Sequence, residues 1–281
     1  MIYGLRVVIK YLLGTDKAGR NFAVYPGDTF VVSYPRSGNT WTRFLIANLV
    51  HPEENVTFAN IERLIPDTSS QSNRALKRTP RPRIIKTHEY FDHRYRKIIY
   101  LVRDPRDVAL SYYDFQRKYR QIEDGYPLER YVDDFVCGRL ISAGWGTWGE
   151  NVGSWLFTRG ESTGFLLLRY EEMLKHPRRE LARIAAFLGI AATPELLAQA
   201  IERSSADHMR TLETLQSDEW VATRKRRKDI PFVRGAKAGE WKSHLPEESI
   251  AQIEHAWGDL MSALGYELVT SRVVQAVKIR L

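Results

Sequence analysis

Cysteine is almost absent from this sequence: Cys137 is the only one among 281 residues. An intramolecular disulfide is therefore impossible, and no Cys/His cluster with metal-ligand spacing appears, so no metal site is expected. A reducing, cytoplasmic setting is the simplest expectation. Long apolar runs are missing too, none approaching the ~20 residues a bilayer-spanning helix needs. The N-terminal MIYGLRVVIKYLLG is interrupted by Arg6 and Lys10 and lacks the core and cleavage site of a signal peptide. A packing helix or a basic helix touching a membrane surface both remain open there. There are no internal repeats and no extended low-complexity tract. The nucleotide-binding loop G-x-x-x-x-G-K-[ST] is also missing, which argues against a kinase or NTPase.

What is present is an ordinary soluble composition, 43% hydrophobic and 27% charged, in a chain long enough for one large domain. Lys and Arg number 42 against 34 Asp and Glu, a formal net charge of +8. Such an excess favours anionic ligands, from phosphorylated small molecules to acidic polymers. No recognisable nucleic-acid motif accompanies the basic run Arg224–Lys228.

Short runs rich in Ile, Val or Leu predict strands at Phe30–Tyr34, Arg83–Thr87, Lys97–Val102 and Gly164–Arg169. Helical patterns follow at Asn39–Val50, Pro105–Tyr119, Glu171–Leu188 and Pro246–Leu264. Alternating strands and helices predict an α/β fold with a central, mainly parallel sheet flanked by helices. Ligands in such sheets bind at the carboxyl ends of strands, where Arg36–Thr40, His88 and Arg103 fall. Two polar stretches, 67–82 and 220–239, read as long loops suited to binding or to covering a site.

Four segments carry candidate chemistry. In YPRSGNTW (34–41) a strand breaks into a tight turn and a helix. Gly38 permits close backbone approach, and the free N–H groups of the first helical turn favour an anion. Ser37 and Thr40 add hydroxyls and Arg36 a permanent cation. An ordinary strand–turn–helix with a Ser/Asn cap is the plain alternative. In KTH (86–88), Lys86 and His88 lie two apart and project to one side of their strand. Lys86 can neutralise an anion, and His88 can accept a hydroxyl proton near neutral pH. In RDPRDVALSYY (103–113), Asp104 and Pro105 suit a helix start. Arg103 and Ser111 make a second anion site there, unless Arg103 merely pairs with Asp107 at the surface. In VRGAKAGEWK (233–242), Arg, Gly and Lys combine as a segment that can fold over a phosphate.

Taken together and in this order, the segments closely resemble the cytosolic-type sulfotransferases that use 3′-phosphoadenosine 5′-phosphosulfate (PAPS). That family carries Y-P-K-S-G-T-T-W, then K-T-H, then R-[ND]-P-[KR]-D-V-x-x-S-Y-Y, then R-K-G-x-x-G-[DE]-W-K. WGTW (145–148), GSW (153–155) and LRYEEM (168–173) add to a resemblance spanning roughly residues 28 to 265. It implies one P-loop-NTPase-like sulfotransferase domain over 1–281, with 1–27 as an N-terminal extension. The activity implied is direct in-line transfer of a sulfuryl group from PAPS to a hydroxyl or amine, leaving 3′-phosphoadenosine 5′-phosphate (PAP), with no metal. Carried over residue by residue, Ser37, Gly38, Asn39 and Thr40 cradle the 5′-phosphate, and Trp41 and Tyr170 lie against the adenine. Arg103, Ser111, Arg234, Gly235 and Ala236 take the 3′-phosphate. Lys86 and Arg36 face the phosphosulfate, and His88 is the general base.

The sequence departs from the family pattern at several points. Arg36 stands for the usual lysine, Arg234-Gly235-Ala236 for R-K-G, with Lys237 as a shifted replacement, and Ala206 for a frequent aromatic against the adenine. The family's C-terminal dimer motif is not matched, which leaves the oligomeric state open. The acceptor is expected to be a small hydroxylated molecule, with a glycan as an alternative. Tyr90, Phe91, Tyr112, Phe115 and Tyr119 suit an apolar one, whereas Arg74, Arg78, Arg81 and Arg83 suit an acidic one. Rival readings are a nucleotide kinase and a non-catalytic module binding nucleotide or an anionic polymer. Neither stable membrane insertion nor a nucleic-acid partner is expected.

Overall fold

The strands are mostly apolar, with polar residues at their ends, because both faces of the sheet are covered. Successive side chains alternate between the two sides. In the computed structural model, which describes residues 17–140, 144–216, 218–220, 223–224, 226–233 and 235–270, the chain begins with β1 (Thr29–Ser33), α1 (Asn39–Val50), α2 (Ile61–Leu64) and α3 (Asn73–Arg78). It continues through β2 (Ile84–Thr87), β3 (Lys97–Val102), α4 (Pro105–Lys118), α5 (Leu128–Val136) and α6 (Trp148–Arg159). Then come β4 (Phe165–Arg169), α7 (Tyr170–Lys175), α8 (Pro177–Leu188), α9 (Pro194–Arg203), α10 (Ala206–Gln216), α11 (Trp241–His244) and α12 (Glu247–Ala263).

The four strands form one parallel sheet in the order β2-β1-β3-β4. Phe30, Val32, Ile98, Tyr100 and Val102 face one core, closed by Val108, Phe135, Trp148, Trp155 and Ile253 of α4, α5, α6 and α12. Val31, Ile99, Leu101 and Leu168 face the other, closed by Phe44, Leu181, Ile184 and Leu197 of α1, α8 and α9. The chain leaves β1 towards β2 on one side and β3 towards β4 on the other. A crevice therefore opens at the carboxyl ends of β1 and β3, the place where open α/β sheets bind ligands.

Three sequence expectations are corrected. Residues 67–82 are not all loop: Ser72 accepts a hydrogen bond from the Ala75 N–H and starts α3, which buries Leu76. The stretch also begins against the sheet, since Asp67 and Lys86 form a parallel bridge. The helix expected over Glu171–Leu188 is two, α7 and α8. Pro177 has no N–H to continue the first, and His176 leaves the helical conformation at φ −133 and ψ 56. Arg83 precedes β2 instead of joining it, and its buried guanidinium holds Asp28 at 2.9 and 2.5 Å. Among the described residues no helix is long and apolar enough to cross a membrane.

Candidate active site

The turn from β1 into α1 is built for an anion. Arg36 and Gly38 take left-handed φ values of 68 and 96, conformations that turn successive N–H groups into a concave surface. Gly38 caps α1 with no side-chain bond, and no acidic residue occupies the first turn, so nothing within that turn neutralises the positive helix end. Glycine is needed twice over at this position. Its φ disfavours other residues, and an added Cβ would stand 2.5 Å from the Tyr170 ring. Ser37 is fully buried outside the cavity wall, with its hydroxyl unpartnered. Asn39 turns its amide inward to the Val31 carbonyl and Ser33 Oγ, so it braces the turn, leaving the backbone and Thr40 towards the cavity.

The KTH segment leaves β2 beside that turn. His88 Nδ1 lies 2.7 Å from the Ser33 carbonyl. A carbonyl only accepts, so Nδ1 carries the proton and Nε2 keeps its lone pair. Burial and the Lys86 charge push the His88 pKa down to about 3, against opposition from Asp67 and the Ser33 carbonyl. The ring sits edge-on to Trp145 at 5.4 Å. Its backbone carbonyl accepts from Asn151, which also reaches the Trp145 carbonyl and accepts from the Tyr100 hydroxyl. Lys86 is buried, its ammonium 2.6 Å from Asp67 Oδ2. Burial raises the Asp67 carboxyl, but Lys86, Arg43 and His88 outweigh it and hold the group well below the usual range.

Arg103, at the end of β3, points into the same crevice. It donates to the carbonyls of Arg36 and Lys237 and lies 4.5 Å from the Tyr170 ring. Its Nε is buried without a partner. The Asp107 contact expected at the surface is buried and loose, at 3.7 Å. Asp107 instead accepts from the N–H groups of Gly239 and Trp241, pinning the C-terminal segment over the site. Arg36 Nε donates to Ser111 Oγ, and its guanidinium sits 4.9 Å from each of the Phe115 and Phe232 rings. Trp41 meets Tyr170 edge-on at 5.9 Å.

These groups share one cavity of about 520 Å³, whose wall includes Arg36, Lys86, His88, Arg103, Ser111 and Tyr170. Ala236 and Lys237 line it as well, Ala236 at a left-handed φ of 49. Gly235 is exposed and outside the wall, and Arg234 lies outside the described residues. Ala206, Met209 and Trp41 line the cavity too. Tyr112, Phe115, Tyr119, Trp145 and Phe232 give it aromatic walls. Tyr90 and Phe91 do not line the cavity, nor do Arg74, Arg78, Arg81 or Arg83. Arg81 lies over Tyr25, and Arg83 serves Asp28.

Sequence reasoning missed the residues that hold this arrangement: Asn151 behind His88, Asp67 against Lys86, and the Lys118–Glu213 pair. Lys118 donates to the Arg227 and Ile230 carbonyls, and Glu213 accepts from the Phe232 and Val233 N–H groups. None belongs to a motif. Only Asn151, three residues after the buried Trp148 in WGTWGEN, carries a local sign in a polar side chain on an apolar helix face.

Residues 26–265 match the model of the Sulfotransferase domain family. The mouse protein Sulfotransferase 1B1 is 28% identical over 96% of this chain and 94% of its own. Among solved structures, retinol dehydratase in complex with retinol and PAP aligns with a TM-score of 0.72 at 22% identity, covering 93% of this chain and 88% of that one. Mouse sulfotransferase SULT7A1 complexed with PAP gives 0.68 at 22% identity, covering 89% and 91%. With its match running from just before β1 to just past α12, the chain belongs to the sulfotransferase-domain family.

Proposed function

We propose that this sulfotransferase moves the sulfuryl group of PAPS directly onto the hydroxyl of a small, largely apolar acceptor. The observation that carries the reading is the meeting, in one cavity, of an imidazole with one free nitrogen and the cations Arg36, Lys86, Arg103 and Lys237. The residues fit a doubly phosphorylated nucleotide. Arg103 Nε, in the cavity wall, is buried without a partner, and no acidic residue occupies the first turn of α1.

The β1–α1 turn and Thr40 take the 5′-phosphate, Arg103 and Ser111 the 3′-phosphate, and Trp41 and Tyr170 the adenine. Ala236 and Lys237 add contacts from the segment above. When bound, PAPS supplies a sulfuryl group joined through oxygen to that 5′-phosphate. His88 Nε2 takes the proton of the acceptor hydroxyl as its oxygen bonds to sulfur and the sulfur–phosphate oxygen bond breaks. Arg36 and Lys86 offset the charge that builds on the departing oxygen. Tyr112, Phe115, Tyr119, Trp145 and Phe232 exclude water and favour a ring-bearing acceptor over a glycan.

The test is calorimetric titration with PAP in the absence of magnesium. PAP is expected to bind at least tenfold more tightly than ATP or 5′-AMP, and Arg103→Ala to erase that preference. Equal binding of all three nucleotides would sink the proposal.

A further inference from the structure

The cavity places a carboxylate where an anion is to bind. Asp67 Oδ2 lies 2.6 Å from the Lys86 ammonium, and both side chains are nearly buried, at 12% and 7% exposure. This is a fixed arrangement. Residues 66–68 run along the free edge of β2, with Lys86 N–H bonded to the Pro66 carbonyl and Thr68 N–H to the Lys86 carbonyl. Asp67 Oδ1 accepts from both the N–H and hydroxyl of Ser69 at 2.8 and 2.7 Å, and the Asp67 N–H donates to Glu62 Oε2. One oxygen is thus held by the backbone while the other is reserved for Lys86. Arg43 pairs with Glu62 beneath it, and His88 and Arg36 line the same cavity.

Two consequences follow from charge alone. A carboxylate beside Lys86 weakens the pull of that cation on a bound phosphosulfate, so it works against ground-state binding. The same carboxylate fixes the ammonium in direction, and a fixed cation stabilises developing charge better than a mobile one. It also opposes the two cations that bear on His88. Binding strength is given up for orientation, a trade that favours turnover over affinity.

From this we propose that Asp67 is a positioning residue for sulfuryl transfer. It aims Lys86 at the charge that develops in the reaction and, in doing so, lowers the affinity for the nucleotide. The inference rests on the reading of the cavity given above.

The test replaces Asp67→Asn in the full chain and measures kcat, acceptor KM and, separately, PAP affinity by calorimetry. The expected result is a kcat lower by tenfold or more, acceptor KM within about twofold, and PAP binding tighter by threefold or more. Weaker PAP binding together with lower kcat would mean a structural role only and would overturn the proposal. So would an unchanged kcat.

Because an unpaired buried ammonium can compromise folding, the charge-free pair Asp67→Asn with Lys86→Gln is measured beside Lys86→Gln alone. If Asp67 acts through Lys86, the two variants have equal kcat. A further loss of tenfold in the double variant would refute the coupling. Failure of the underlying reading is distinguishable, since the unaltered enzyme would then show no preference for PAP over ATP.

Discussion

His88 is pushed towards neutrality by burial first and by Lys86 second, with its pKa lowered to about 3. In its proposed role as base it is therefore ready at pH 7 without first losing a proton. Removing it is expected to lower kcat by ~10² to 10⁴, with PAP affinity unchanged in His88→Ala. The same residue leaves a mark on stability. In the unfolded chain an imidazole begins to bind a proton near pH ~6.5, whereas in the folded protein it does so only near 3. Its contribution is therefore whole above the unfolded value and is lost progressively as pH falls towards the folded one. Melting temperatures of the enzyme and of His88→Ala, taken from pH 7 down to 4.5, should show the smaller acid decline in the variant. Parallel declines would show that His88 is not held neutral by the fold.

At the scale of elements, the segment over the cavity depends on α4 and α10. Lys118 on α4 and Glu213 on α10 pair at 3.4 Å, and together they engage four backbone groups between Arg227 and Val233. Lys118→Met should free this stretch, exposing the basic run at 224–228 to trypsin at least tenfold faster and weakening PAP binding, while the two cores stay intact. Limited proteolysis with and without PAP checks this, and unchanged cleavage would show that the pair is not the anchor. The clamp also explains what the sequence revealed and what it hid. The strands β1 to β4 and helices α1 and α4 were legible because short apolar runs and the Asp104-Pro105 start are local signals. So were Arg36, His88 and Arg103, each one to three residues past a strand end. Lys118, Glu213 and Asp67 were not, because their meaning lies in partners 19 to 112 residues away. Nor was α3, whose single buried residue, Leu76, gives no periodicity to detect.

At the scale of the whole molecule, the cavity lies where the parts that hold the protein together meet. Its floor is the edge between two cores on opposite faces of one sheet. Its roof is tied to α4 by Asp107 and to α12 through Arg106, which joins Asp104 and Glu254 and lies 3.6 Å from the Trp241 ring. Unfolding either core or detaching the roof would destroy the proposed nucleotide site, so a ligand bound there is expected to stabilise the molecule as one unit. PAP at a hundred times its dissociation constant should add about 2.7 kcal/mol. For a chain of this size that raises the melting temperature by about 4 to 6 °C. A single sharper transition is expected with PAP, and ATP or 5′-AMP at the same concentration should move it far less. If PAP instead raised only part of a split transition, the site would lie within one half of the molecule and not across the sheet.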